Sequence, residues 1–335
     1  MVSGVLWFTS QNVGGSWAPY AQVPVPINVG AFSGVSCAPI DGDLHVVALQ
    51  DGDLWHGVRH ANGLWSAFEK IQTLLQDGRA FTAFSCGAVG ETGVSDPKVH
   101  VMALQNMGDG NVSVVHTYLS PHGTWSPFID VTARNSLPGF SGISCSGGNM
   151  NLTIAGLLGG KVWVYQTTTE MNYPDIWTGI DPGTAVPGSA PDGYGPGDQT
   201  NSFWVATAAA PFKYSTIHVV AVDIKTLQLY GQYRAMTEVA RGLDFHWRDN
   251  YIPLSFGHGP VGCVSLAYDT SSADSHKLSL VILASQQVWI ANTLDSDPST
   301  WGAFAQGPSQ IGSGGFRYAA SASVAGALNI VGISQ

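Results

Sequence analysis

A tryptophan returns six times in a similar setting: "WAPY" at Trp17, "WSAF" at Trp65, "WSPF" at Trp125, "WTGI" at Trp177, "WRDN" at Trp247 and "WGAF" at Trp301. Successive spacings are 48, 60, 52, 70 and 54 residues, and joining the chain ends would make a sixth of 51. A period of this size belongs to propeller blades or solenoid repeats, where each unit buries its apolar face against its neighbours. The clearest copy, "FSGVSCAPIDGDLHVVALQDGDLWHGVRHANGLWSAFEKI", divides into strand-like runs at 34–38, 44–49, 54–60 and 64–71. The Gly, Asp and Asn of "APIDGD", "QDGD" and "HANG" suit tight hairpins between them. Four antiparallel strands per repeat make a propeller blade rather than a helical solenoid.

The innermost strand recurs as "FSGVSC", "FTAFSC" and "FSGISC", and more loosely as "FWVATA", "VGCVSL" and "FRYAAS". Its small residues suit strands crowded around a channel. The second strand recurs as "LHVVAL", "VHVMAL", "LTIAGL", "IHVVAV", "LSLVIL" and "LNIVGI". The chain begins at a third strand (5–10) and a fourth (17–23), and ends after a first (316–321) and a second (328–333). The expected fold is therefore an all-β, six-bladed β-propeller with four antiparallel strands per blade. The N- and C-termini share the closing blade, and residues 1–335 form a single domain. The Pro- and Gly-rich stretch 180–199 is either decorated surface or a functional loop, and 235–246 has room for one helical turn.

Composition narrows the partners. With 13 basic against 23 acidic residues, a net charge of −10 and only 11% charged residues, the chain is neither a solvated disordered tail nor suited to nucleic acid, which needs clustered cations. No apolar run reaches the roughly 18 residues of a membrane span. No signal peptide is visible at the start, so cytoplasmic location or leaderless release is expected. Cys37, Cys86 and Cys145 share one register of the innermost strand, and Cys263 falls three positions earlier in its own copy. All four are expected to be reduced, buried thiols. No Cys/His spacing suggests zinc, and no metal or cofactor is expected.

Catalytic motifs are missing: there is no GxSxG, P-loop, HExxH or GxGxxG opening a helix. Asp41, Asp43, Asp51 and Asp53 sit in hairpin sequences, where turn formation accounts for them. One register is more informative. The second residue of the second strand is His45, His100, Thr153, His218, Ser279 and Asn329, polar in every copy between apolar neighbours. Such a residue either hydrogen-bonds the adjacent blade or anchors a ligand in a pocket between blades. The third strand places Trp7, Trp55, Trp163, Tyr230 and Trp289 in one register, with Val115 in the sixth copy. Aromatic faces beside a few polar groups suit a sugar ring, whose C–H patches stack while its hydroxyls hydrogen-bond.

The stretch "DGDLWHGVRHANGLWSAFEKI" resembles the repeat of the Photorhabdus-type propeller lectins, which carry a similar "LWH…W" pattern on blades that are typically seven in number. Six blades and the same strand order are also similar to the Aleuria-type fucose lectins. In those an Arg on the second strand and a Glu on the third hold the sugar. This chain puts His45, His100 and His218 at the Arg position and Gly57 near the Glu. The resemblances imply a multivalent carbohydrate-binding lectin with weak sites between blades, not an enzyme. Its ligand contacts would be His45, His100, Thr153, His218, Ser279 and Asn329 with Trp7, Trp55, Trp163, Tyr230 and Trp289. The expected partners are glycans or glycoconjugates, with no nucleic acid and no membrane insertion, and with room for a homo-oligomer. The alternatives are a protein-interaction scaffold and a glycoside-cleaving propeller.

Overall fold

Alternation of apolar residues with Gly- and Asp-rich turns produces antiparallel hairpins throughout. The computed structural model describes residues 4–335 apart from 13, 72–78, 91–96, 109, 149–150, 160, 169–176, 186–202, 210–216, 224–227, 240–241, 255, 260, 270–276, 295–299 and 309–314. Over 178–253 most side chains also fall outside the description.

The chain opens with β1 (Leu6–Ser10) and β2 (Ala21–Gln22). A first complete sheet follows: β3 (Gly34–Ile40), β4 (Asp43–Gln50), β5 (Asp53–Arg59) and β6 (Glu69–Lys70). The second is β7 (Phe81–Val89), β8 (Lys98–Gly108), β9 (Asn111–Leu119) and β10 (Ile129–Asp130), trailed by the short helix α1 (Val131–Asn135). The third is β11 (Gly142–Gly147), β12 (Asn151–Leu158), β13 (Lys161–Thr168) and β14 (Thr178–Ala185). The fourth is β15 (Phe203–Ala209), β16 (Ile217–Asp223), β17 (Gln228–Val239) and β18 (Gly242–Leu254). The fifth is β19 (Val261–Asp269), β20 (Lys277–Ala284), β21 (Gln287–Leu294) and β22 (Ala305–Gln306). β23 (Phe316–Val324) and β24 (Ala327–Ser334) join β1 and β2 in the closing sheet, where Leu6–Ser10 pairs antiparallel with Asn329–Ile333.

Each of these six sheets has four strands in sequential order. The first strands stand side by side as β3, β7, β11, β15, β19 and β23, and β23 returns to β3. This is an all-β β-propeller. Among the described residues no helix is long and apolar enough to cross a membrane.

Two local expectations are corrected. Residues 235–239 and 242–246 are not helical: they belong to β17 and β18, which pair from Leu229 with Leu254 out to Val239 with Gly242, and 240–241 lie outside the described residues. The fourth strands are mostly shorter than the pattern suggested, because β2, β6, β10 and β22 hold only two residues each. Trp17, Trp65 and Trp125 attach to their sheets through isolated bridges to Gln11, Arg59 and Leu119. Of the stretch 180–199, residues 180–185 lie in β14 and the rest lies outside the described residues.

The core is made between sheets rather than within one. Val47 and Leu49 of β4 pack on Val99, Val101, Ala103 and Val115 of the second sheet. Met102 and Leu104 pack in the same way on Leu152, Ile154 and Trp163 of the third. Burial of such apolar faces, worth about 25 cal/mol per Å², holds the ring together.

Candidate functional site

The polar register of the second strand is buried in every sheet: His45 8%, His100 1%, Thr153 0%, His218 2%, Ser279 4% and Asn329 3% exposed. In the first, second, third and fifth sheets a side chain of the third strand of the same sheet is the partner. His45 Nδ1 lies 3.0 Å from His56 Nε2, and His100 Nδ1 lies 2.9 Å from His116 Nε2. Gln166 Nε2 donates to Thr153 Oγ1 at 3.5 Å, and Ser279 Oγ donates to Asn292 Oδ1 at 2.8 Å. Asn329 Nδ2 donates to the Ala327 carbonyl at 2.7 Å.

Both imidazole pairs are stacked, with centroids 5.2 Å apart and planes inclined by 17° and 6°. An indole of the following sheet meets each pair edge-on, Trp125 on His56 at 5.2 Å and Trp177 on His116 at 6.5 Å. Burial pushes His45 down to about 4, against the pull of Asp43, and pushes His56 to about 3 with His45 adding to the effect. Burial likewise takes His116 to about 4. It holds His100 well below the usual imidazole range, helped by His116 and Lys98. The stacked rings are therefore neutral near pH 7.

Register separates the polar residue from the aromatic one. His45 stands opposite Val58 while Trp55 stands opposite Ala48, three residues further along β4, so the two point to opposite faces. The same offset separates Thr153 from Trp163, Ser279 from Trp289, Asn329 from Trp7 and, by backbone pairing, His218 from Tyr230. The side chain of Tyr230 lies outside the description. What one sheet cannot bring together, two do. The face carrying Asn329 packs on the Trp55 face of the first sheet, that carrying His100 on Trp163, that carrying His218 on Trp289, and that carrying Ser279 on Trp7.

Trp7, Trp55, Trp163 and Trp289 are each only partly buried. Yet the indole N–H of all four is turned inward and has no acceptor among the described residues. Sequence reasoning located these rings but not the orphaned donors, since rotamer and depth are set by the neighbouring sheet. On the outer rim Trp17, Trp65, Trp125 and Trp301 are also partly exposed.

The sequence reading expected a channel lined by the small inner-strand residues but assigned no site to it. Its wide end is a cavity of about 390 Å³, and a second cavity of about 110 Å³ continues below; Cys37, Cys86, Cys145 and Ser321 line both. A hydroxyl ladder stitches the inner strands together: Ser36 Oγ accepts from Cys86 N at 3.0 Å, Ser85 Oγ from Cys145 N at 2.9 Å, and Ser265 Oγ from Ser321 N at 2.9 Å. The signal was present in the Ser that precedes Cys in "FSGVSC", "FTAFSC" and "FSGISC". All four cysteines are free. Burial raises the Cys86 thiol to about 12 and Cys263 to about 11, and holds Cys37 and Cys145 well above their usual value. Among the described residues no group of three or more His, Cys, Asp or Glu is placed to hold a metal ion.

No family model matches the chain, and no curated protein matches it at significant similarity. Solved structures do. A structure of NanB with Optactamide is 9% identical with a TM-score of 0.51, covering 88% of this chain, which spans only 64% of that protein. The exo-inulinase of Aspergillus awamori is 11% identical with a TM-score of 0.44, over 83% of this chain and 64% of its own. The Dos1 propeller is 10% identical with a TM-score of 0.38, over 99% and 76%. At such identities the likeness concerns the fold alone. The expectation that this chain is not an enzyme is withdrawn: the matched structures include a xylan β-1,4-xylosidase, an exo-inulinase and an exo-arabinanase by name.

Proposed function

We propose that the chain is a six-bladed, carbohydrate-binding propeller, a lectin with several weak glycan sites between blades. The observation that carries this reading is the repeated indole donor. At one register in four blades, Trp7, Trp55, Trp163 and Trp289 hold a partly covered ring whose N–H lacks an acceptor among the described residues. A buried donor left unpaired costs about 1–3 kcal/mol, and a sugar hydroxyl entering the gap would supply the acceptor while its C–H face stacks on the ring. The face opposite each of these indoles carries a polar residue of the preceding blade: Ser279 for Trp7, Asn329 for Trp55, His100 for Trp163 and His218 for Trp289. Similar weak sites around one ring yield avidity, because later contacts become intramolecular.

The test begins with a glycan array, run beside a panel of chromogenic glycosides that reports any turnover. Calorimetry with the sugar so identified then compares Trp7→Phe, Trp55→Phe, Trp163→Phe and Trp289→Phe, which keep the ring and delete the donor. Each substitution is expected to lower the number of sites, and the second blade, with Val115 in place of the indole, is expected to contribute none. Unchanged stoichiometry in all four variants would remove the sites from these gaps.

A further inference from the structure

We propose that the wide end of the central channel is a separate ligand site that takes one uncharged sugar ring. The proposal shares its ligand class with the lectin reading but uses none of the residues between blades. A cavity of about 390 Å³ falls within the range of small-molecule sites, roughly 300–1,000 Å³.

Its lining selects against charge. Among the described residues no Asp, Glu, Lys, Arg or His lines it, so an ionic ligand would shed its hydration against these walls without a counter-ion. What the lining offers instead is hydroxyl donors. Ser36 Oγ and Ser85 Oγ each accept a backbone N–H from the next inner strand; Ser36 Oγ also meets Cys86 Sγ at 3.3 Å, while the Ser85 hydroxyl proton has no acceptor among the described residues. Ser85 is only 9% exposed. A buried hydroxyl proton facing a cavity needs an acceptor, and a ring hydroxyl oxygen would supply one to Ser85, with Ser36 on the adjacent strand as a second hydroxyl in the same wall.

Two half-buried aromatic side chains supply the apolar part. Phe84 lies across Gly34 of the neighbouring strand, where a Cβ would come within 3.1 Å of its Cε1, so the glycine leaves the ring room to spread over β3. Tyr318 lies on the other side of β3, its ring covered by the Arg317 guanidinium at 5.4 Å. A pyranose presents the matching surface, a patch of C–H groups edged by hydroxyls. Cys37, partly exposed in the wall of the same cavity, reports on occupancy.

The experiment follows modification of Cys37 by the small neutral reagent methyl methanethiosulfonate, read by mass spectrometry on the intact chain. D-glucose, D-galactose, L-fucose and D-glucuronate are added in turn. At ten times its Kd, a bound neutral sugar is expected to slow the modification about tenfold by mass action. Ser36→Ala and Phe84→Leu are each expected to abolish that protection, while Trp55→Phe leaves it intact. If Phe84→Leu does not fold, the Ser36→Ala and Ser85→Ala variants decide alone. The proposal is overturned if no neutral sugar slows Cys37, if glucuronate alone protects, or if protection survives the serine variants. Glycan binding between blades without protection of Cys37 would sink this proposal and spare the lectin reading; protection without array binding would do the reverse.

Discussion

Two stacked imidazole pairs make the first and second sheets sensitive to protons. His45 and His56 face each other, with Asp43 and His60 as the charged neighbours that act on His45. His100 and His116 sit beside Lys98, Tyr118 and the edge of Trp177. Their folded pKa values are depressed, to about 4 for His45 and His116 and about 3 for His56, against an unfolded value near 6.5. Between those limits the unfolded chain binds more protons, so stability rises with pH. It is fully present above about pH 6.5 and is lost as pH falls toward 4. One such shift on a buried group corresponds to roughly 3 kcal/mol, so the melting temperature at pH 5 is expected to lie several degrees below that at pH 7.5. Giving the second sheet the fifth sheet's residues, His100→Ser with His116→Ile after Ser279 and Ile290, should flatten that slope in calorimetry. A slope unchanged by the double substitution would remove the pairs as its cause. The His45 and His100 register was legible as a repeat. His56 and His116 were not, because their register also holds Phe8, Val164, Gly231 and Ile290, and no sequence pattern singles it out.

At the scale of the strand, backbone proximity sets the tolerances. Gly147 ends β11 against β7, where an added Cβ would sit 1.7 Å from the Ala88 carbonyl oxygen. The obstacle is backbone, so no side-chain rotation relieves it. Gly147→Ala is expected to cost about 1–3 kcal/mol as overpacking, read as a lower urea midpoint at unchanged slope. Gly63→Ala has a positive φ but an open surface and should cost less; equal losses would contradict the packing argument. The hairpin positions were legible because Asp and Gly announce tight turns. The short outer strands were not, since "WSAF" and its relatives read as strand by composition, whereas Trp65 reaches β5 through a single bridge.

Over the whole molecule, stability depends on the ring's closing, and the closing sheet is completed by strands from opposite ends of the chain. Asn329–Ile333 of β24 lies between β1 on one side and β23 on the other. Val331 and Ile333 are fully buried with Leu6, Val46 and Ala48. Removing residues 328–335 strips both neighbours of their partner, exposes unpaired edges and opens the interface with the first sheet. The truncated chain is expected to aggregate in size-exclusion chromatography and to lose its cooperative melting transition. A monomer with the parent's melting temperature would show that closure through this strand is dispensable.

Sequence alone determined what is periodic: the six tryptophan copies, the four-strand unit, the split closing sheet, the shared cysteine register and the polar second-strand residue. All of these follow from local alternation and turn chemistry, which a chain carries in its order of residues. Tertiary structure decided everything that depends on one sheet meeting the next. Register turned His45 and Trp55 to opposite faces of their own sheet, and ring packing then set the polar face of each sheet against the aromatic face of its neighbour. The channel arises in the same way, because Ser36, Ser85 and Phe84 come together only where inner strands some fifty residues apart in sequence lie side by side. Distances of that kind are set by packing density and hydrogen bonding between repeats, and no single repeat contains them.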